Sequence, residues 1–266
     1  MGANWAGHNM AAPSYDADAQ TYFDAMTGPA TESVKGIVDA LVRGLKDDGN
    51  WTFLDWLSLS AAHDSQAGLI NLKNPTQVAT LVNAPTFTTD RGFTGDGATS
   101  YIDFGWNPTT ASSPNFVQND ASMGVWIGTD ATSGTQYDMG TSTRHSINSH
   151  VGSNQARFYP NQTSAATVAI PANTGVGLSA WTRRGASATE TYKNGTSLGD
   201  GATASGALFA GNFFGLATNN VASVGNPVFF STRRMQAAFW GAQRSDAQML
   251  TIYNRLLAYM TEKEAV

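Results

Sequence analysis

Between Phe87 and Trp240 the apolar positions recur every second residue. Met123, Val125 and Ile127 alternate with Ser122, Gly124 and Trp126; Val176, Leu178 and Ala180 with Gly177, Ser179 and Trp181; Met235, Ala237 and Phe239 with Gln236, Ala238 and Trp240. Period two with one apolar face predicts antiparallel strands packed face to face as a sandwich. Gly, Asn, Ser, Thr and Pro punctuate the runs. Asn194-Gly195, between Thr189–Lys193 and Thr196–Leu198, predicts a tight hairpin whose two central residues both take positive φ. The stretch from Phe93 to Trp106 also reads as a hairpin, with Gly95-Asp96-Gly97 as its turn.

Helical spacing is confined to the two ends of the chain. Val34, Ile37, Val38, Leu41, Val42 and Leu45 form an unbroken stripe, with Thr31 as N-cap and Asp48-Gly49 as stop. A shorter helix fits Asp16 to Met26. Leu54, Trp56, Leu57 and Leu59 suggest a strand, followed by a compact helical piece from Asp64 to Leu72 that Pro75 ends. Ser245-Asp246-Ala247-Gln248 is a capping box opening a last helix with Met249, Ile252, Tyr253, Leu256, Leu257 and Met260 on one face. That helix should lie against the sandwich or the N-terminal helix.

The phrase F-x-G-D-G-x-x-S-Y-I-D from Phe93 to Asp103 resembles the early strands of laminin-G-like, concanavalin-A-like jelly rolls. Ala121 to Ile127, with its outward Trp126, the Y-x-N-G-x-x-L-G hairpin within Ala188 to Gly199, and Arg234 to Met249 follow in that family's order. The resemblance covers roughly residues 87 to 258. A second one is with bacteriophage and prophage virion proteins carrying such a domain. It rests on A-Q-x-Y-F-D-A-M at Ala19 to Met26, G-L-K-D-D-G-x-W at Gly44 to Trp51 and L-x-L-x-A-A-H-D-x-Q-A-x-L-x-N-L at Leu57 to Leu72. The expected fold is therefore mainly β: a two-sheet antiparallel β-sandwich of the concanavalin A-like jelly-roll type, with N-terminal helices and a C-terminal helix. The expected organisation is an attachment arm over residues 1–30, a helical linking region over 31–86 and the sandwich with its closing helix over 87–266.

Composition narrows the function. The chain has 266 residues, a formal charge of −5 and 15 scattered Lys and Arg, with no basic stripe for nucleic-acid phosphates. No cysteine is present, so disulfides and thiolate metal sites are excluded. The N-terminus lacks a basic segment followed by an apolar one, and no apolar run has membrane-spanning length. The expectation is neither Sec secretion nor a membrane span.

Only four glutamates occur, Glu32, Glu190, Glu262 and Glu264, and the Glu-x-Asp-x-x-Glu strand that glucanases use on this jelly roll is missing. Glu190 reads as a solvated strand-face charge and the chain as non-enzymatic. His145 and His150 fall on opposite strand faces, so a histidine metal site is not expected; His63-Asp64 reads as a helix-start pair whose carboxylate caps backbone N–H groups. The resemblance leaves calcium open, with weak rim candidates in Asp96 and Asp103 and further carboxylates in Asp130 and Asp138; no cofactor is expected. Of the adjacent arginines Arg183-Arg184 and Arg233-Arg234, one of each pair can join a given surface. Trp106, Trp126, Trp181 and Trp240 either stack on sugars or, the favoured reading, are buried.

These observations lead to a non-enzymatic virion structural protein of tail-fibre, collar or capsid-decoration type, displaying a lectin-like domain and assembled in the bacterial cytoplasm. The alternatives are a free carbohydrate-binding module and, less favoured, a glycoside hydrolase. Glycan contacts are expected from the polar loops Thr129–Tyr137 and Asn219–Asn226, with Asp130, Tyr137, Asn219 and Asn220 as candidates. Attachment to other virion proteins is expected through Trp5, Tyr15, Tyr22 and Phe23, rings that the first thirty residues cannot bury alone, with homo-oligomerisation resting on the arm and a trimer among the arrangements allowed.

Overall fold

A computed structural model describes residues 14–266. Three helices occur among them: α1 (Ala17–Asp24), α2 (Glu32–Asp47) and α3 (Asp246–Glu262). The strands are β1 (Leu54–Ser58), β2 (Thr80–Val82), β3 (Thr86–Thr88), β4 (Gly92–Thr94), β5 (Tyr101–Asp103), β6 (Ala121–Ile127), β7 (Met139–Thr141), β8 (His145–Gly152) and β9 (Gln155–Pro160), followed by β10 (Ala166–Ala169), β11 (Gly177–Gly185), β12 (Ala188–Lys193), β13 (Thr196–Gly201), β14 (Phe214–Gly215), β15 (Thr218–Asn219), β16 (Pro227–Val228) and β17 (Arg234–Gly241). They form an eight-stranded sheet in the order β13-β12-β11-β6-β17-β4-β3, with β1 also on β17, and a nine-stranded sheet in the order β10-β9-β8-β7-β14-β5-β2, with β15 and β16 attached. Every pairing is antiparallel except a single parallel bridge between Asn219 and Thr141. The two sheets pack face to face, as the alternation of apolar residues predicts.

The molecule has three layers. Between the sheets lies a core that includes Trp56, Met123, Val125, Ile127, Phe158, Trp181, Met235, Ala238 and Trp240. A second core lies between the eight-stranded sheet and the helices, where Trp126, Leu178, Ala180, Tyr192, Ala237 and Phe239 meet Val38, Leu41, Val42 and Leu45 of α2 and Met249, Ile252 and Leu256 of α3. Burying each large aliphatic side chain contributes roughly 1.5–3 kcal/mol, which is what holds the helices down. Trp126 points away from the neighbouring sheet but stacks flat on Tyr253 of α3, ring centroids 5.6 Å apart. The other three tryptophans weighed for sugar contact, Trp106, Trp181 and Trp240, are also buried.

Local chemistry sets the element ends as the sequence indicates. The Thr31 hydroxyl accepts from Val34 N, and Gly49 at φ +68° ends α2. Ser245 and Gln248 form a reciprocal capping box on α3. Asn194 and Gly195 both take positive φ in the β12–β13 hairpin. Asp64 Oδ1 accepts from Ala67 N at 2.8 Å, the expected cap, although the helical piece shrinks to a single 3₁₀ turn, Ala67–Leu69.

Four expectations are corrected. The Phe93–Trp106 stretch is not a hairpin: β4 pairs with β3 and β17, whereas β5 pairs with β2 and β14, so the turn carries the chain from one sheet to the other. Asp96 fixes that crossover by accepting from Ala98, Thr99 and Ser100 N, bonds that hold its carboxyl well below the usual carboxylate range. In β17 the register shifts between Met235, opposite Ile127, and Ala237, opposite Trp126, which leaves Gln236 as an extra residue. The bulge turns Ala238 and Trp240 to the inter-sheet core with Met235, and Ala237 and Phe239 to the helices. Ser122 and Gln236, read as outward-facing, are buried because helices cover that side; Ser122 Oγ donates to Ala242 O at 2.6 Å and Gln236 Nε2 to Ala265 O at 2.8 Å. Finally, Tyr22 and Phe23 do not stand half exposed. They are buried in the helix-side core, and the Tyr22 hydroxyl donates to Ala67 O at 2.9 Å. Tyr15 is half-buried against Phe23, and Trp5 lies outside the described residues.

Because both faces of the eight-stranded sheet are buried, Val125→Asp and Ala237→Arg should each prevent folding, and so should Gln236→Arg, since an unpaired buried charge costs several kcal/mol. Thr196→Lys, on the exposed edge strand β13, should stay within about 0.5 kcal/mol of the parent. Urea denaturation of the set measures this; a mild Gln236→Arg would show that the bulge register is wrong.

Candidate functional site

Helices cover the outer face of the eight-stranded sheet, and the open face of the nine-stranded sheet is where the molecule presents built-up side-chain chemistry to solvent. Strand alternation sends Ile102, Ile147, Ala156 and Phe158 inward to the inter-sheet core, so their neighbours Tyr101, Asp103, Arg157 and Tyr159 face outward. Tyr159 lies opposite Ser146, which lies opposite Gly140. Tyr137 stands 6.3 Å from Tyr159 and 5.2 Å from Phe229, centroid to centroid. Beside Phe229 in sequence, Phe230 meets Tyr101 at 6.3 Å, and Tyr101 meets Phe214 at 4.7 Å. The result is an aromatic band across the strands, buried at Tyr137 and Phe214, half-buried at Tyr101, Tyr159 and Phe230 and exposed at Phe229.

Polar groups border the band. Arg157 Nη1 lies 3.5 Å from the Tyr137 hydroxyl and 3.4 Å from Gly134 O. Burial raises the Tyr137 pKa, so the phenol stays protonated at neutral pH. Asn212 Nδ2 donates to both oxygens of Asp103, at 3.0 and 3.3 Å. Faces and edges of aromatic rings beside a guanidinium, a carboxylate and amides are suited to a ligand with apolar C–H faces and hydroxyl edges.

The sequence-derived candidates are only partly brought together. Tyr137 is a central element of the band. Asn219 is buried behind it, donating to Asn212 O at 3.0 Å and accepting from Gly225 N at 2.8 Å. Asn220 shapes the 220–226 loop by accepting from Ala222 N at 2.9 Å. Asp130 sits elsewhere, with both oxygens 2.9 Å from His150 Nδ1 and one accepting from Gly175 N at 3.0 Å; burial raises its pKa while His150 and the Gly175 N–H lower it, for a net decrease. Arg157, Tyr159, Phe229 and Tyr101 were not singled out. Alternation tells which face of its own strand each of Arg157, Tyr159 and Tyr101 takes, but not which face of the sandwich the helices leave free, and Phe229 lies beyond the end of β16, where alternation does not apply.

The remaining titratable groups form structural clusters. Glu190 is not a solvated charge. It is buried, bonded to Arg184 at 2.7 Å, and Arg184 also holds Asp246, to which the Tyr192 hydroxyl donates at 3.0 Å. This cluster docks the start of α3 on the sheet. Arg183 and Arg233, weighed as surface cations, are fully buried. Arg183 donates to Pro160, Gly185, Ala186 and Thr203 carbonyls and to Gln162 Oε1, and Arg233 to Asp138 at 2.9 Å with Ala131 and His150 carbonyls. Of the weighed calcium ligands, Asp138 is thus paired to Arg233, Asp96 to its own turn and Asp103 to Asn212. No group of three or more His, Asp or Glu side chains spaced for a metal ion occurs among the described residues.

No protein-family model matches the chain, and no curated protein matches it. Solved structures do. Botulinum neurotoxin type C, whose cell entry depends on interaction with two ganglioside molecules, is 10% identical, with 76% of this chain and 51% of that one covered at a TM-score of 0.52. The binding domain of botulinum neurotoxin DC in complex with rat synaptotagmin II is 9% identical, with 77% and 52% covered and a TM-score of 0.52. Domain 4 of an extracellular arabinanase from Geobacillus stearothermophilus, in complex with arabinotriose, is 16% identical, with 76% and 98% covered and a TM-score of 0.40. This chain spans about half the length of the toxin chains it matches. At these identities the likeness to the two toxin chains is one of fold, and it agrees with the jelly-roll sandwich.

His145 tests the core beneath this face. It is fully buried between Phe116 and Phe213, and its Nε2 accepts from Phe209 N at 3.3 Å, which requires that nitrogen to be unprotonated. Burial pushes its pKa down to about 3, with help from Arg144 and Arg183. A histidine depressed in the folded state takes its proton mainly in the unfolded chain, so its contribution is complete above the unfolded value of about 6.5 and is lost as pH falls from there toward 3. Stability should therefore fall by up to about 1.4 kcal/mol per pH unit between roughly pH 6 and 4.5. Denaturation of His145→Phe over the same range should show a flatter slope; an unchanged slope refutes the assignment.

Proposed function

We propose that this chain is a non-enzymatic glycan-binding jelly roll that a bacteriophage or prophage virion displays, and that it binds saccharide on the open face of the nine-stranded sheet. The observation that carries the glycan reading is the aromatic band from Tyr159 to Tyr101, which reaches solvent at Phe229 and in part at Tyr101, Tyr159 and Phe230, on the side of the sandwich opposite the helices. Exposed rings rimmed by polar side chains mark interaction surfaces. Sugar rings offer C–H faces to stack on aromatics and hydroxyls for Arg157, Asp103 and Asn212. A fold neighbour's dependence on gangliosides supports a sandwich of this kind presenting a glycan site. A non-catalytic role fits carboxylates already engaged by arginine, amide or backbone donors, since hydrolysis needs two free to act on one sugar.

The virion assignment rests on the sequence resemblance at Ala19–Met26 and Leu57–Leu72. Because Tyr22 and Phe23 are committed to the chain's own core, attachment to other virion proteins in this reading belongs to the segment before α1, with Trp5 and the half-buried Tyr15 as its aromatic anchors.

Tyr159→Ala and Phe229→Ala should each weaken binding of the best ligand on a glycan array by roughly tenfold, the loss of one aromatic contact. Thermal stability should change little for Phe229→Ala, whose ring is exposed. A flat array for the parent chain sinks the glycan reading. Deletion of residues 2–13 should leave a folded protein that no longer enters particles, whereas deletion of 2–30 should also destabilise the fold by removing α1. Normal incorporation of the shorter deletion would end the attachment reading, whereas absence of the parent chain from particles would favour a free carbohydrate-binding module.

A further inference from the structure

Away from the aromatic face, a cavity of about 400 Å³ opens where the start of β1, the 71–77 loop and the 106–115 loop converge. Its volume is in the range of small-molecule sites, roughly 300–1,000 Å³. Its polar lining side chains include Asp55, Lys73, Asn74, Gln77 and Asn115, with Trp106 beside them, and none belongs to the open-face band.

The hydrogen-bond ledger of these residues shows what is left for a ligand. Asp55 accepts from Asn115 N and Phe116 N, both at 2.8 Å, which fixes its orientation and uses about half of its acceptor capacity. Asn115 spends its amide N–H groups on Thr52 and Leu54 carbonyls, so its side-chain oxygen is the uncommitted end. Gln77 and Asn74 are the reverse case. Their oxygens accept from Asn71 Nδ2 and Thr76 Oγ1, which leaves their NH₂ groups as donors. The Lys73 ammonium lies 4.8 Å over the Trp51 ring and has no hydrogen-bond acceptor or ion pair among the described residues. The other lysine near that ring, Lys46, is held by Asp16 and Asp18, both at 2.6 Å. Trp106 closes one wall, packed rigidly against Phe116, Phe213 and Trp240.

We propose that this cavity is a binding site for an acidic monosaccharide of the uronic-acid type. Asp55 and Asn115 present oxygens that a ligand's hydroxyl donors satisfy, Asn74 and Gln77 present N–H donors, and Lys73 supplies a single cation with no acceptor of its own. A ring bearing several hydroxyls and one carboxylate meets all three demands. An inorganic phosphate does not: it brings up to two negative charges against one ammonium, beside the Asp55 carboxylate. An apolar ligand would strand every polar group in the wall.

The test is titration of the full chain with sodium glucuronate, methyl glucoside and inorganic phosphate, read by NMR from the side-chain amides of Asn74, Gln77 and Asn115 and the Trp106 indole. Glucuronate should move these signals together. Its affinity should fall at least about tenfold in Lys73→Met, the loss of one charge-assisted contact, and methyl glucoside should bind the parent chain weaker by a similar factor. Lys73→Met should keep the parent's backbone amide spectrum, since the Lys73 ammonium has no hydrogen-bond or ion-pair partner among the described residues and the bond from its backbone N–H to Asn71 Oδ1 is retained. Tyr159→Ala should leave glucuronate binding unchanged, which separates this site from the open face and lets either reading fail alone. The proposal is overturned if glucuronate moves none of the four signals, if methyl glucoside binds equally well, if phosphate binds more tightly, or if Lys73→Met is without effect.

Discussion

A sheet buried on both faces cannot keep a polar side, and the rest of this structure follows from that constraint on the eight-stranded sheet. Met123, Val125 and Ile127 of β6 face the second sheet, while Ser122, Gly124 and Trp126 face the helices. Each residue on the helix side is therefore accommodated individually. Ser122 bonds to a carbonyl and Trp126 stacks on Tyr253. Gly124 is there because a Cβ would lie 2.3 Å from the Phe239 ring, so the strand gives up a side chain to let its neighbour's ring lie flat. The β17 bulge belongs to the same solution, since the extra residue at Gln236 lets Trp240 enter one core and Phe239 the other.

With no cysteine to cross-link its loops, the chain uses buried guanidiniums instead. Arg183 gathers carbonyls from Pro160, Gly185, Ala186 and Thr203, and Arg233 joins Asp138 to the Ala131 and His150 carbonyls. Arg244 bonds to Ala242 and Gln243 carbonyls. A planar fork with five donors satisfies several orphaned carbonyls at once, which a lysine cannot do. The Arg233–Asp138 pair is fully buried, so removing either partner alone would strand a charge at a cost of about 3–5 kcal/mol. These arginines fix the rims that hold the two sheets in register, including the 129–138 loop that delivers Tyr137 to the open face.

What the sequence made legible was whatever one local period or cap specifies: the α2 stripe, the Asn194-Gly195 hairpin, the Ser245 capping box and the alternation that defines a sandwich. What it hid depends on partners far along the chain. Gly95-Asp96-Gly97 is a turn in any context, and only the pairing of β4 with β17 and of β5 with β14 makes it a crossover instead of a hairpin. Gln236 looks like one more step in an alternation, because a bulge changes register without changing composition. Tyr22 and Phe23 look like unsupported rings until α2 and the Ala67 carbonyl are beside them. The same reason explains the site. Tyr137 stood out in a polar loop, but Tyr159, Phe229 and Arg157 lie in or beside strands whose outward residues resemble those of β6, and nothing local says which sheet the helices cover.

That asymmetry also orients the molecule in the proposed reading. The helix layer is built from both ends of the described chain, α1 and α2 at the start and α3 at the finish; α2 and α3 cover the outer face of the eight-stranded sheet, and α1 packs against α2 in the same core. The segment leading into α1 therefore joins the protein on the side opposite the aromatic band, across the thickness of two sheets. Anchoring through that segment leaves the band facing away from the anchor. The sandwich then acts as a rigid spacer: a ligand held at Tyr159 and Phe229 is kept roughly two inter-sheet spacings, each about 10 Å, from the helix layer. In the proposed reading, display needs this separation of anchor and binding face, and the packing that buries the eight-stranded sheet on both sides would supply it.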